Sequence, residues 1–193
     1  MTKKTMLGIL FFFLLILVIP AVQSTLFANR STGKMIINKK LDAPYLQGYN
    51  NDLMLVFFGY VGCVKVCTPI LVQLDDLYDS KEFAAFKGSV GVTFVNLMPE
   101  VEPDQPELFA KSFNPMFRGV YLSQKELMSI DRELGVFFSK SMREPTEIDH
   151  SDHLYLVEKQ KDGTLVLKSI YTMHPLNREM LSNDILQLRK EKK

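Results

Sequence analysis

Short apolar runs alternate along the chain with polar, turn-rich segments. The runs Leu53–Phe58 (LMLVFF) and Val90–Leu97 (VGVTFVNL) are apolar at nearly every position, which predicts strands buried on both faces of a parallel sheet. Shorter runs predict further strands, and two of them flank the turn sequence KQKDG, which predicts a hairpin. These shorter strands are predicted at Met35–Ile37, Phe117–Leu122, Leu154–Glu158 and Thr164–Ile170.

Segments with helical spacing separate and follow these strands. An apolar stripe predicts a helix over Lys65–Phe86, and the stripe consists of Ile70, Leu71, Leu74 and Leu77. Ser123, followed three residues later by Glu126, forms a capping box and predicts a helix over residues 123–134. Helices are also predicted at 103–113 and 175–189. The order β-α-β-α followed by ββα predicts an α/β, thioredoxin-like fold, in which helices flank a central mixed sheet.

An uncharged apolar segment, Met6–Val22, lies near the N-terminus. Its length of about 17 residues is close to the shortest that spans a bilayer as a helix. Lys3 and Lys4 directly precede it, which indicates an N-terminus that stays in the cytoplasm. We predict a retained anchor, because the segment is longer than a usual signal core. A cleaved signal peptide is the alternative, although Val22 and Ser24 match its cleavage site poorly.

This topology predicts how the chain is divided. Residues 1–24 are expected to form the signal-anchor or transmembrane segment, 25–34 a polar tether, and 35–193 the thioredoxin-like domain. The bacterial inner membrane would then hold the N-terminal helix, with the folded domain in the periplasm. The membrane is therefore one predicted partner of the chain.

Composition narrows the possible function classes. The 193 residues include 23 Lys and Arg against 22 Asp and Glu, which gives a net charge of +1. A protein that grips nucleic acid carries a basic face and a high pI, so this balance argues against a nucleic-acid partner. Charged residues at 23% and apolar residues at 47% are typical of an ordinary globular domain.

The two cysteines, Cys63 and Cys67, lie in one CxxxC motif. The motif follows the predicted strand Leu53–Phe58, at the carboxyl end where α/β sheets place their chemistry. A helix that begins near Cys63 would put both thiols on one face, and its N-terminus would favour thiolates. The pair can form a redox-active disulfide or act as soft ligands that suit copper. A purely structural disulfide is disfavoured, because so short a loop adds little stability.

Three histidines, His150, His153 and His174, are the available imidazole ligands. The segment 148–153 precedes an apolar run, which predicts a loop that enters a strand. If this segment is extended, His150 and His153 point to opposite faces, and at most one of them can join the sulfurs. His150 is the candidate, because Asp149 beside it could orient a ligand loop. His153 and His174 are expected to be ordinary polar residues.

Two motifs resemble those of the SCO/SenC family. Val56–Cys67 (VFFGYVGCVKVC) resembles the family's YFGYTHCPDVC element. Asp149–Ser151 (DHS), followed by Tyr155–Leu156 (YL), resembles the family's DHS/T…YL element. The resemblance extends over roughly residues 50–190 in the order and spacing of the predicted elements, and it includes the N-terminal apolar segment.

The chain departs from the family pattern at several positions. Val64 and Thr68 stand where the family usually has Pro after each cysteine, and Met98 stands where a later family element begins with Asp. Lys65 replaces an acidic residue between the cysteines. A positive charge there should stabilise thiolates and disfavour the addition of a cation.

The resemblance implies a membrane-anchored protein that binds copper, as Cu(I) or Cu(II), through Cys63, Cys67 and His150. Proteins of this family take part in assembling the dinuclear copper centre of cytochrome c oxidase. The implied partner is therefore the copper-bearing oxidase subunit, or another copper or thiol protein. This is the role of a chaperone and not that of an enzyme.

The alternative is a periplasmic thiol–disulfide oxidoreductase that acts on cysteines of a copper-receiving or other exported protein. Cys63 and Cys67 would then be its catalytic residues. The CxxxC motif alone does not separate these two functions.

Overall fold

The computed structural model describes residues 12, 16, 18, 19, 33–81, 83–142, 144 and 147–191. The chain divides into two units, Met1–Lys34 and Met35–Lys193. Most of the predicted anchor and tether lies outside the described residues, so the membrane segment and its orientation stay predictions. Among the residues that are described, no helix is both long and apolar enough to cross a membrane.

Eight strands and four helices follow one another along residues 34–191 of the described chain. The strands are β1 (Lys34–Leu41), β2 (Leu53–Gly59), β3 (Val90–Asn96), β4 (Arg118–Val120), β5 (Phe138–Lys140), β6 (Ile148–His150), β7 (Leu154–Lys159) and β8 (Leu165–Tyr171). The helices are α1 (Cys67–Tyr78), α2 (Gln105–Lys111), α3 (Gln124–Leu134) and α4 (Arg178–Glu191). Two short 3₁₀ turns lie at Pro44–Leu46 and Ala84–Phe86.

Six of the strands form one mixed sheet in the order β1-β8-β7-β2-β3-β4. The strands β2, β3 and β4 run parallel to one another, whereas β7 is antiparallel to both β2 and β8. Every residue of β2 is buried, because this strand lies in the middle of the sheet and both faces are covered. The strands β5 and β6 form a separate antiparallel pair.

Alternate residues of β2 enter two different cores. Phe57 belongs to a core that includes the apolar residues of α1 and α4, and Phe58 belongs to a core on the other face, which includes those of α3. Side chains of a strand alternate between the two faces of the sheet, so each core receives every second residue. These observations confirm the predicted α/β fold, with a central mixed sheet flanked by helices.

The boundaries of the first helix differ from the prediction. The sequence predicts a helix over Lys65–Phe86, but α1 spans only Cys67–Tyr78. At its start, the backbone N–H and the hydroxyl of Thr68 both donate to the carbonyl of Cys63, at 3.2 and 3.0 Å. Cys63 therefore lies in the turn before the helix, and only Cys67 is helical.

Two further predictions have different outcomes. The capping box is confirmed in one of its two bonds, because the N–H of Ser123 donates to Glu126 Oε2 at 2.8 Å. The hydroxyl of Ser123 donates to the same carboxylate oxygen, at 2.5 Å. The predicted loop at 148–153 is wrong in its first half, because residues 148–150 form β6. Both β5 and β6 are three residues long, which is too short for a periodic pattern to show in the sequence.

Candidate metal and thiol site

The turn that carries Cys63 begins where β2 ends. The N–H of Cys63 donates to the carbonyl of Tyr60 at 3.2 Å. Asn96, at the end of β3, accepts the N–H of Val61 through Oδ1 at 3.1 Å and donates to the carbonyl of Met98. Because β2 and β3 are parallel, their carboxyl ends meet at this edge of the sheet, and Asn96 ties the turn to it.

Cys67 is fully buried against the end of β2. A Cβ atom added to Gly59 would lie 2.5 Å from the Cys67 sulfur, so only glycine leaves room for this thiol. The N–H of Cys67 donates to the sulfur of Cys63 at 3.2 Å. The start of α1 and the end of β2 therefore fix the sulfur of Cys67, and the N–H of Cys67 holds the sulfur of Cys63 beside it.

His150 reaches the cysteines from the small β5–β6 sheet, where it pairs with Phe138. Its Nδ1 lies 3.0 Å from the carbonyl oxygen of Ser151. Since a carbonyl only accepts, Nδ1 carries the proton in the neutral ring, which leaves the lone pair of Nε2 for a ligand role. Nε2 lies 3.6 Å from the sulfur of Cys67. The ring packs edge-on against Tyr60, with centroids 5.8 Å apart.

The three sequence-predicted ligand residues are thus brought together. The two sulfur atoms and the imidazole nitrogen of Cys63, Cys67 and His150 all lie within 4.8 Å of one another. Both cysteines are free thiols and both are buried. His153 and His174 do not belong to this group, and His174 Nε2 instead donates to the carbonyl of Asp152 at 2.6 Å.

The two thiols differ in acidity. The hydrogen bond from Cys67 lowers the pKa of Cys63 far below its usual range; burial opposes this shift, and contacts with His150 and backbone N–H groups support it. The pKa of Cys67 is raised, because it donates to the Cys63 sulfur and because burial disfavours a second thiolate. Burial lowers the pKa of His150, but its hydrogen bonds with Cys63 and Ser151 outweigh burial, so the net shift is upward.

A cavity of about 370 Å³ opens beside Cys63 and His150. Lys65, whose positive charge is expected to disfavour a cation, lies at this cavity and forms an ion pair there. Its Nζ lies 3.2 Å from both carboxylate oxygens of Glu147, another residue of the cavity wall. The charge of Lys65 is therefore met by an opposite charge from the segment that leads into β6.

Comparison with known protein families shows to which family the chain belongs. The model of the SCO1/SenC family matches residues 42–183. The match covers most of the chain and includes the CxxxC motif and the segment that carries His150. This chain belongs to the SCO1/SenC family. The matched region contains all three predicted ligand residues and every strand of the six-stranded sheet except β1, which ends one residue before it.

Individual relatives agree with this assignment. The chain is 25% identical over 138 residues to the mitochondrial SCO1 homolog 1 of Arabidopsis thaliana, which covers 68% of this chain and 37% of that protein. The chain thus spans well under half the length of this relative. The solution structure of apo Sco1 from Thermus thermophilus is 28% identical, covers 80% of this chain and 92% of that one, and has a TM-score of 0.59.

A second solved structure shares the fold at lower identity. It is that of Arabidopsis thaliana ScoI with copper bound, which is 22% identical and has a TM-score of 0.61. The match covers 73% of this chain and 86% of that one. At this identity the likeness supports the fold, which agrees with the predicted thioredoxin-like arrangement.

Three residues that shape the site are not among those predicted from the sequence. Gly59, Asn96 and Glu147 were not singled out, although each contacts a residue of the CxxxC turn or α1. Asn96 carried a usable signal, because a polar residue at the end of a buried apolar run is unusual. Glu147 carried none, since its partner Lys65 is distant in the sequence.

Proposed function

We propose that this chain binds one copper ion through Cys63, Cys67 and His150. The observation that carries the proposal is the convergence of two sulfurs and one imidazole nitrogen within 4.8 Å. Thiolate ligands suit Cu(I), and a mixed set of sulfur and imidazole also suits Cu(II). The membership of the SCO1/SenC family and the copper-bound state of the related Arabidopsis ScoI support the choice of copper.

Copper analysis of the reduced, full-length chain tests this proposal. We expect about one copper per chain in the wild type and none in the double variant Cys63→Ser/Cys67→Ser, because the variant lacks both soft ligands. An oxidised wild-type sample should also fail to load, since the sulfurs are then joined to each other. Stoichiometric copper in the double variant would rule out the assigned site.

We further propose that the bound copper is passed to another copper protein, with the copper-bearing subunit of cytochrome c oxidase as the first candidate. The family resemblance supports this recipient, and the open cavity beside Cys63 and His150 offers a route for exchange between proteins. Copper transfer from the loaded chain to a purified, reduced oxidase fragment tests it. Transfer no faster than from free copper–glutathione would count against it.

The location is a proposal of the same kind. We propose that residues 1–24 anchor the chain in a bacterial inner membrane and that the folded domain lies in the periplasm. Lys3 and Lys4, which precede the apolar segment, support this orientation. A reporter that is active only outside the cytoplasm should be active when fused after Lys193. Activity of a cytoplasmic reporter at the same position would refute the orientation.

The acidity difference between the two thiols favours a second candidate function, thiol–disulfide exchange. The pKa of Cys63 is lowered and that of Cys67 is raised, which matches an attacking thiolate and a resolving thiol. Cys63 would attack a disulfide of a partner protein, and Cys67 would then release the partner. Two electrons pass to the partner, which becomes a dithiol, while Cys63 and Cys67 become a disulfide.

His150 separates the two functions. A copper carrier needs its imidazole, whereas a dithiol reductant needs only the sulfurs. If reduction of a partner disulfide persists in His150→Ala while copper binding is lost, both activities exist on the same sulfurs. If copper affinity is unchanged in that variant, the ligand assignment is wrong and the reductase becomes the better explanation.

A further inference from the structure

Lys65 and Glu147 form an ion pair that joins the two halves of the site. Lys65 lies between the two cysteines, and Glu147 directly precedes β6, which ends in His150. The ammonium nitrogen is 3.2 Å from each carboxylate oxygen, a two-pronged contact between residues 82 positions apart. Both side chains line the same cavity as Cys63 and His150.

The strand that carries His150 belongs to a small sheet. It pairs only with β5 within the described part of the chain, and each strand contributes three residues. A two-stranded hairpin is marginally stable in water when nothing else supports it. Ile148, the first residue of β6, packs against both cores. Toward the cysteines, the strand makes the ring contacts of His150 with Tyr60 and Phe57, and the Lys65–Glu147 pair adds a link to the CxxxC turn.

The same pair also balances charge. Lys65 alone would place a positive charge beside the incoming copper ion, as expected from its departure from the family pattern. Glu147, in contact with its ammonium group, offsets that charge at short range. The carboxylate of Glu147 therefore reduces the repulsion that Lys65 would otherwise exert on copper.

We propose that the Lys65–Glu147 ion pair is a positioning element that holds the His150 strand against the CxxxC turn. Without it, Nε2 of His150 would spend less time within reach of the two sulfurs, and copper binding would weaken although no ligand had been removed. This inference rests on the proposed copper function, but the positioning itself is a property of the metal-free protein and can be measured there.

Charge reversal and charge exchange test the proposal in the full-length chain. The variants are Lys65→Glu, Glu147→Lys and the double variant that carries both changes. An exposed ion pair has a modest effect, so we expect each single variant to weaken copper binding by about threefold to fivefold. The exchanged pair should return the affinity to within about twofold of the wild type. Lys87→Glu is the matched control, because Lys87 forms a similarly exposed pair with Asp79.

The direction of the Lys65→Glu effect separates position from charge. If only charge near the metal mattered, a carboxylate at position 65 would tighten copper binding, and the effects of the two changes would simply add. The positioning role requires that both single variants bind more weakly. The proposal would be overturned if Lys65→Glu bound copper more tightly than the wild type. It would also be overturned if the double variant bound copper no more tightly than the single variant with the lower copper affinity.

Amide hydrogen exchange of the metal-free protein supplies a readout that does not depend on copper. The amides of β5 and β6 should exchange up to about fivefold faster in each single variant and return to the wild-type rate in the double variant. Unchanged exchange in both single variants would refute the positioning role. If the wild type binds no copper at all, the proposed function fails, and the exchange rates alone decide the inference.

Discussion

Gly59→Ala tests whether the end of β2 fixes the position of the Cys67 sulfur. The added Cβ would lie 2.5 Å from Cys67 Sγ, 3.1 Å from Phe94 Cε2 and 3.2 Å from Phe57 Cε1. All three neighbours are buried, and Gly59 is itself held by its pairing with Asn96 of β3. Neither the strand nor the aromatic rings can retreat easily, so the sulfur must move.

The size of the effect follows from these distances. An ordinary van der Waals contact between the new Cβ and the sulfur needs about 3.4 Å, so Cys67 Sγ must move by about 0.9 Å. This movement would change its distances to the Cys63 sulfur and to His150 Nε2. Overpacking of a buried site costs about 1–3 kcal/mol of folding free energy. A ligand displaced by this distance should weaken copper binding by about tenfold or more.

Urea denaturation and a copper titration against a competing chelator measure the two effects. Gly91→Ala is the matched control, because Gly91 also lies in a central strand but faces the side-chain tip of Asn51, at 2.7 Å. That tip can rotate away, so we expect a loss below about 1 kcal/mol and unchanged copper affinity. If Gly59→Ala binds copper as tightly as the wild type, the steric argument fails.

Three further predictions concern the ligands, the thiols and a helix cap. His150→Ala should lose stable Cu(II) binding, whereas His153→Ala should keep the wild-type affinity in the same titration; an equal loss in both would contradict the assignment. Because folding lowers the pKa of Cys63, the Cys63 thiolate stabilises the folded protein fully at a pH above the ordinary thiol pKa of 9.0. This stabilisation is lost as the pH falls toward the lowered pKa. Thiolate absorbance should therefore persist below neutral pH in the metal-free wild type but not in Cys63→Ser, and its disappearance at neutral pH would argue against the shift. Ser123→Ala removes the hydrogen bond from the hydroxyl to Glu126 and should lower the free energy of unfolding by about 0.5–1.5 kcal/mol without changing copper affinity. Weaker copper binding by this variant would contradict the prediction.

The amino-acid sequence determines the central part of the fold by itself. The runs at Leu53–Phe58 and Val90–Leu97 became β2 and β3 with boundaries shifted by one residue at one end. Continuous apolar runs of this length can be satisfied only by burial on both faces, so local sequence and tertiary structure agree. The CxxxC motif at the end of the first run likewise marked the site, because the carboxyl ends of parallel strands meet at one edge.

The residues that complete the site were decided by contacts distant in sequence. His150 comes to the sulfurs through β6 and its pairing with β5, and three-residue strands leave no periodic signal. The resemblance to a family named His150 as a ligand, whereas the residues around it offered only a preference over His153 and His174.

Two further features of the site, the glycine at position 59 and the Lys65–Glu147 pair, also depend on contacts between distant parts of the chain. The need for glycine at position 59 arises from the Cys67 sulfur that folds back against it, and the partner of Lys65 lies 82 residues away. Local sequence fixes which segments must be buried and where a strand gives way to a helix. Which side chains meet at the edge of the sheet depends on how distant segments pack against each other. The steric restriction at Gly59 and the opposite charge beside Lys65 arise only from that packing.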